Sequence, residues 1–104
     1  MAANIEANLI QNMSQAYNVH FIKNANAGEA LIHMMQMTKM DHANLRNINP
    51  NDILVSLSRG MNLGTREKLK TFACEVIVHL VKNVVGSKLT QAELMSMTES
   101  KIKA

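Results

Sequence analysis

Aromatic side chains are almost missing from this 104-residue chain, which has no Trp, one Tyr and two Phe. Its core must therefore be filled by aliphatic residues and by nine methionines, whose flexible thioethers fit irregular gaps and repack easily. Cysteine is scarcer still. The single Cys74 excludes an intramolecular disulfide and suits a reducing compartment. Its neighbours Ala73, Val78 and Val81 are apolar, and such surroundings raise a thiol pKa, so Cys74 reads as a small core residue and not a nucleophile. No stretch approaches the roughly 18 consecutive apolar residues of a spanning helix. The amino-terminal "MAANIEANLIQNMSQ" has neither a basic start nor an apolar run of the signal-peptide kind. The expectation is a soluble, unprocessed, cytoplasmic chain without a membrane partner. Motifs of catalysis are absent too. "SRGMNLGTRE" has glycines but not the spacing or the Lys-Ser/Thr of a phosphate loop, and no nucleophile elbow or paired-carboxylate pattern occurs. An enzyme is not expected, nor a cofactor.

What is present points to one folded unit. Apolar residues make up 47% and charged residues 18%, enough hydrophobicity to offset the entropy of ordering. The length fits a single domain over residues 1–104. The formal charge of +3 and a sequence pI near 9.3 are compatible with an acidic partner but fall short of the dense basic patches that mark nucleic-acid binders.

Between residues 4 and 21, Ile5, Leu9, Met13, Tyr17 and Phe21 recur every four positions, with Ile10 beside them and Asn, Gln and Glu opposite. This predicts an amphipathic helix with that stripe as its apolar face. Asn26 with Glu29 has the spacing of a helix cap and its reciprocal carboxylate, opening a second helix with Leu31, Met34, Met35 and Thr38 on one side. It fades near Met40 into a polar turn or short helical piece. Asn49-Pro50, with Asp52 complementing the dipole, starts a third helix with Ile53, Leu54, Leu57 and Met61 inward. Gly60 and Gly64 bracket its exit, and Thr65 caps a fourth helix, read as the longest, that runs to Val85 and is stopped by Gly86. "EVIVHLVKNVV" is rich in β-formers, yet Leu69, Phe72, Val76, Leu80 and Val84 hold a 3.6-residue period, so helix is assigned. Thr90 and Glu93, in capping-box spacing, open a final helix through about Ile102. The fold class is all-α, a compact bundle of four to five helices around a central long helix at about 66–85.

Four constellations are candidates for function. The first is residues 50–72, which resemble in outline a helix-turn-helix, with Gly60 and Met61 at the turn. Arg59, Arg66, Lys68 and Lys70 would contact phosphates there, and Asn62 or Thr65 would reach a base edge. The position that should bury an apolar residue early in the second helix holds Arg66, and the turn is long; solvated residues at a helix junction are the favoured account of the segment. The second is Glu29 with His33 and Glu75 with His79, each at i,i+4 and so on one helix face, a carboxylate–imidazole combination that binds metal. Both pairs share faces with polar residues and the di-iron signature is missing, so ordinary surface pairs are favoured and no metal is expected. The third is the methionines at 34, 35, 37 and 40, with Met95 and Met97, which could line an adaptable groove for a partner helix or fill gaps in the core; they project from more than one helix face, so at least one should be exposed. The fourth lies on the 66–85 helix, where Cys74, Val78, Val81 and Val85 form an apolar row beside the main core stripe. A second copy of the chain would cover that row unless the other helices enclose it. The function expected is a non-enzymatic protein-interaction module, a small regulator or adaptor that self-associates; the alternative is a DNA-binding regulator.

Overall fold

The computed structural model describes residues 2–59 and 64–102. Among them the chain forms α1 (Ala2–Asn24), α2 (Ala27–Thr38), a 3₁₀ turn (Ala43–Asn47), α3 (Pro50–Ser58), α4 (Arg66–His79) prolonged by a π-helical turn (Leu80–Val84), and α5 (Gln91–Glu99), with no strand. The expected all-α bundle is what forms. Met61 and the first exit glycine of α3, Gly60, lie outside the described residues.

Each boundary is set by local chemistry. The Asn26 side chain accepts from the Glu29 N–H at 3.0 Å, and Asn49 accepts from both Asn51 and Asp52 N–H groups, with Pro50 at the first helical position. Thr65 accepts from the Lys68 N–H at 3.2 Å. At α5 the capping box is complete, Glu93 N–H donating to Thr90 Oγ1 and Thr90 N–H donating to the Glu93 carboxylate, both at 3.1 Å. Such caps satisfy N–H groups that have no partner within the helix. The reversal between α1 and α2 is tight because Ala25 takes a left-handed conformation, φ 52°, and its N–H donates to the Phe21 carbonyl at 2.7 Å.

The helix begun at Arg66 packs against each of the other four. Phe72, Ala73, Val76, Ile77 and Leu80 are buried along its main stripe, and so are Cys74, Val78 and Val81, at 1%, 2% and 0% exposure. That corrects the reading of these three as a seam between copies: a helix at the centre of a bundle has neighbours on every side, so its second apolar row is core of the same chain. Val85 sits half-buried at the core margin. Met34 and Met35, also read as interface, are fully buried, since α2 turns that side to the centre together with Leu31 and Thr38. Met37 and Met40 are exposed at 58% and 73%, which meets the expectation that the methionines would not all fit inside.

Two further readings change. At 23 residues α1, not the fourth helix, is the longest. Its inward face is also different: Leu9, Ile10, Met13 and Tyr17 are buried, but Ile5 is 55% exposed. A stripe spaced by four drifts about 40° per step around a helix of 3.6 residues per turn, so Ile5 ends far around the axis from Phe21. The place nearest the core at that end is taken by Glu6, 5% exposed.

The π turn and the loop after it are fastened by polar groups. Val85 N–H donates to the Leu80 carbonyl at 2.9 Å and Ser87 N–H to that of Val81 at 3.1 Å. Lys82 Nζ donates to the carbonyls of Ser87 and Leu89 at 3.3 and 2.8 Å. Ser87 Oγ donates to Glu6 Oε2 at 2.9 Å, tying the start of α1 to the end of the central helix. Gly86 makes this turn at φ 88°, where a side chain is strained though no atom stands within 4 Å of a Cβ placed there. Among the described residues no helix is long and apolar enough to cross a membrane.

Two substitutions at left-handed positions are expected to act in opposite directions. Gly86→Ala should destabilise the fold by about 1–2 kcal/mol through backbone strain alone, and Ala25→Gly should relieve strain of similar size, offset in part by glycine's greater entropy in the unfolded chain. Urea midpoints of the two variants lying on opposite sides of the wild type is the expected result.

Candidate functional site

Cys74 is buried, and burial pushes its thiol from 9.0 up to about 11, with the Glu99 carboxylate adding to the shift. A thiol so placed stays protonated and weakly nucleophilic near neutral pH. Its neighbour Tyr17 is pushed up to about 12, again mainly by burial and then by Cys74. Tyr17 stacks on Phe21 with ring centres 5.7 Å apart. Among the described residues neither its hydroxyl nor that of Ser14, one helical turn earlier, has a hydrogen-bond partner.

The basic segment offered as a DNA contact lies partly outside the described residues. Residues 59–65 intervene between Ser58 and Arg66, more than the turn of about three to four residues in the helix-turn-helix template. Asn62 and the Arg66 side chain lie outside the described residues. Thr65 uses its hydroxyl as the cap of α4. Arg59, Lys68 and Lys70 are exposed, as residues at a solvated corner are.

The carboxylate–histidine pairs are placed on different helices, Glu29 and His33 on α2, Glu75 and His79 on α4. His33 stacks against His20 of α1, ring centres 4.5 Å apart, and His79 is 3.1 Å from the Asn83 amide. Among the described residues no three His, Cys, Asp or Glu side chains gather as a metal site would require.

What the fold does present is a face, and the sequence reading missed it. Ile5, Asn8, Asn12, Gln15, Val19 and Ile22 are all exposed; Ile5, Val19 and Ile22 at 55%, 49% and 73% rank among the most exposed large apolar residues. Their spacing alternates three and four residues, the repeat that keeps one line of side chains facing a partner helix with a drift of only about 20° per heptad. The line lies opposite Ile10, Met13 and Tyr17, on the side of α1 turned away from the core. Open grooves flank it. One, of about 370 Å³, runs between α1 and α2 and is lined by Ala16, Val19, His33, Met37 and Asp41 among others. The other, of about 390 Å³, lies towards the end of α5 and is lined by Gln11, Asn18 and Lys101 among others, where the Asn18 amide donates to the Lys101 carbonyl at 2.7 Å. The signal was there to read in the 3-4 spacing, but two of its six members are asparagine and one glutamine, and a search for apolar periodicity passes over those.

The Tyr17–Cys74 pair makes stability fall in alkali. Both groups are held neutral by burial, so the unfolded chain releases their protons first, from values of 10.0 and 9.0. Full stability is therefore expected below about pH 9, with a loss on the order of 2–3 kcal/mol per group as pH rises towards 12. Tyr17→Phe should raise stability at pH 7 by about 1 kcal/mol, because a buried hydroxyl without a partner is removed, and should also remove the tyrosine share of the alkaline loss. Urea titrations at pH 7 and pH 11 check both signs.

No protein-family model, no curated protein and no solved structure matches the chain.

Proposed function

We propose that this chain is a non-enzymatic protein-interaction module, a small helical adaptor or regulator, and that the solvent face of α1 receives a helix of its partner. The observation that carries this reading is the 3-4 line from Ile5 to Ile22, six exposed residues on the longest helix of the fold. Apolar residues at both ends of such a line supply burial on docking, worth about 1.5–3 kcal/mol for each large aliphatic side chain fully covered. Amides in the middle supply selectivity, because a partner that leaves them unpaired in a dry interface loses affinity. The grooves on either side leave room for the flanking side chains of a docked helix. Met37 adds an adaptable wall on the α2 side. The reading of residues 59–70 as a DNA contact has less support, since its turn is too long for the motif and Thr65 is engaged in capping.

The test compares three immobilised proteins in extract of the native host: wild type, Val19→Asp/Ile22→Asp on the α1 face, and Val55→Asp, which charges a 60% exposed valine elsewhere. At least one protein retained by wild type and by Val55→Asp, and reduced tenfold or more on the α1 variant, is the expected outcome. Equal capture by all three defeats the reading. Binding of duplex DNA that weakens steeply with salt and with Lys68→Ala/Lys70→Ala would favour the nucleic-acid alternative instead.

A further inference from the structure

Four methionines, at 34, 35, 37 and 40, crowd the end of α2, and the fold treats them in two ways. Met34 and Met35 have no exposure, like Met13 of α1, whereas Met37 and Met40 are exposed at 58% and 73%. We propose that Met37 and Met40 form a reversible oxidation site, at which a two-electron oxidant such as hydrogen peroxide acts on the protein without entering its core. This goes beyond the docking role of α1 and does not depend on it.

The chemistry needs only access. A thioether lone pair attacks one peroxide oxygen, an S–O bond forms as the O–O bond breaks, and the other oxygen leaves as water; sulfur is oxidised by two electrons and the peroxide is reduced. Met13, Met34 and Met35 meet the oxidant only when the bundle opens, and the open form of a stable small domain is about one part in a thousand or less. Met95 and Met97, half-buried against the core, fall between the two groups. Cys74, the other sulfur that peroxide attacks, is buried, and burial keeps its thiol protonated and weakly nucleophilic near neutral pH.

The product also has a place in the fold. Oxidation turns a flexible apolar side chain into a polar one whose oxygen accepts hydrogen bonds. In the core that oxygen would be a buried acceptor without a partner. At position 37 it falls on the rim of the groove between α1 and α2, lined also by Asn12, Gln15 and His33, side chains that carry N–H donors. Met40 lies past the last residue of α2, where water reaches it. Neither oxygen disturbs core packing, so the modified chain stays folded and the thioether can be recovered. Methionine sulfoxide reductases take the oxygen back as water at the expense of a dithiol, which becomes a disulfide.

The experiment treats the folded protein with hydrogen peroxide and maps sulfoxide at each methionine by peptide mass spectrometry. Met37 and Met40 should oxidise at least tenfold faster than Met13, Met34 and Met35, and in unfolding concentrations of urea that difference should vanish. NMR spectra taken once the exposed pair is oxidised should show shifts at Asn12, Gln15 and His33, with the methyl signals of Met13, Met34 and Met35 in place. Both epimer-specific reductases together, with a dithiol, should restore the starting spectrum. In Met37→Leu/Met40→Leu, which changes two exposed positions, the same dose should leave the groove signals where they were. Oxidation of Met34 or Met35 as fast as that of Met37 overturns the proposal, and so does unfolding on oxidation of the exposed pair. Groove signals that do not move, or sulfoxide that the reductases cannot remove, overturn it as well.

Discussion

The central helix of this fold is apolar around most of its circumference, and the bundle is arranged by the need to enclose it. Phe72, Val76, Ile77 and Leu80 form one stripe and Cys74, Val78 and Val81 another, and all are removed from water. A helix with a single apolar stripe can lie on a surface; one with two must be surrounded. Four helices pack around it, each giving one face to the task. In a chain with three aromatic residues, few large flat rings are available to cover such a helix. Many medium-sized side chains do so instead, with Met13, Met34 and Met35 filling the gaps between branched neighbours.

Enclosure has to be fastened at the point where the central helix ends and the chain must turn back along it. There the helix widens into a π turn, which moves its last carbonyls out of line, and Gly86 reverses the direction. Lys82 reaches forward to two carbonyls of the loop, and Glu6 reaches over from α1 to Ser87. Glu6 is nearly inaccessible, and its hydrogen bond to Ser87 offsets part of what burying a carboxylate costs. One polar contact thus joins residues far apart in the chain, on the same face of α1 that buries Leu9, Ile10, Met13 and Tyr17.

The choice of that face decides what α1 shows to solvent. With Glu6, Leu9, Ile10, Met13 and Tyr17 inward, the 3-4 line from Ile5 to Ile22 has to face out. Isoleucine and valine at both ends of that row of amides are the ground on which a docking role for α1 is proposed.

The sequence by itself determined where four of the helices begin, because caps act over two or three residues and need no partner elsewhere: Asn26, Asn49, Thr65 and Thr90 are legible as local chemistry, and each accepts from a backbone N–H two or three residues on. The ends were less legible, α5 stopping at Glu99 and not near Ile102. The sequence also determined the all-α class for a similar reason, since the helical period outlasts the β-branched run at 75–85. The inward side of α2 was legible too, Leu31, Met34, Met35 and Thr38 all being buried, but on α1 and the central helix the tertiary structure decided. On α1 a stripe spaced by four and a stripe spaced by three and four compete, and the first misplaces Ile5 because it drifts around the axis. On the central helix the second apolar row fits either a seam between copies or the chain's own core, and the choice falls on the core because four neighbours surround that helix. The inward turn of Glu6 left no mark in the sequence for the same reason: it answers to a contact with Ser87, 81 residues along the chain, and only the folded bundle brings those residues together.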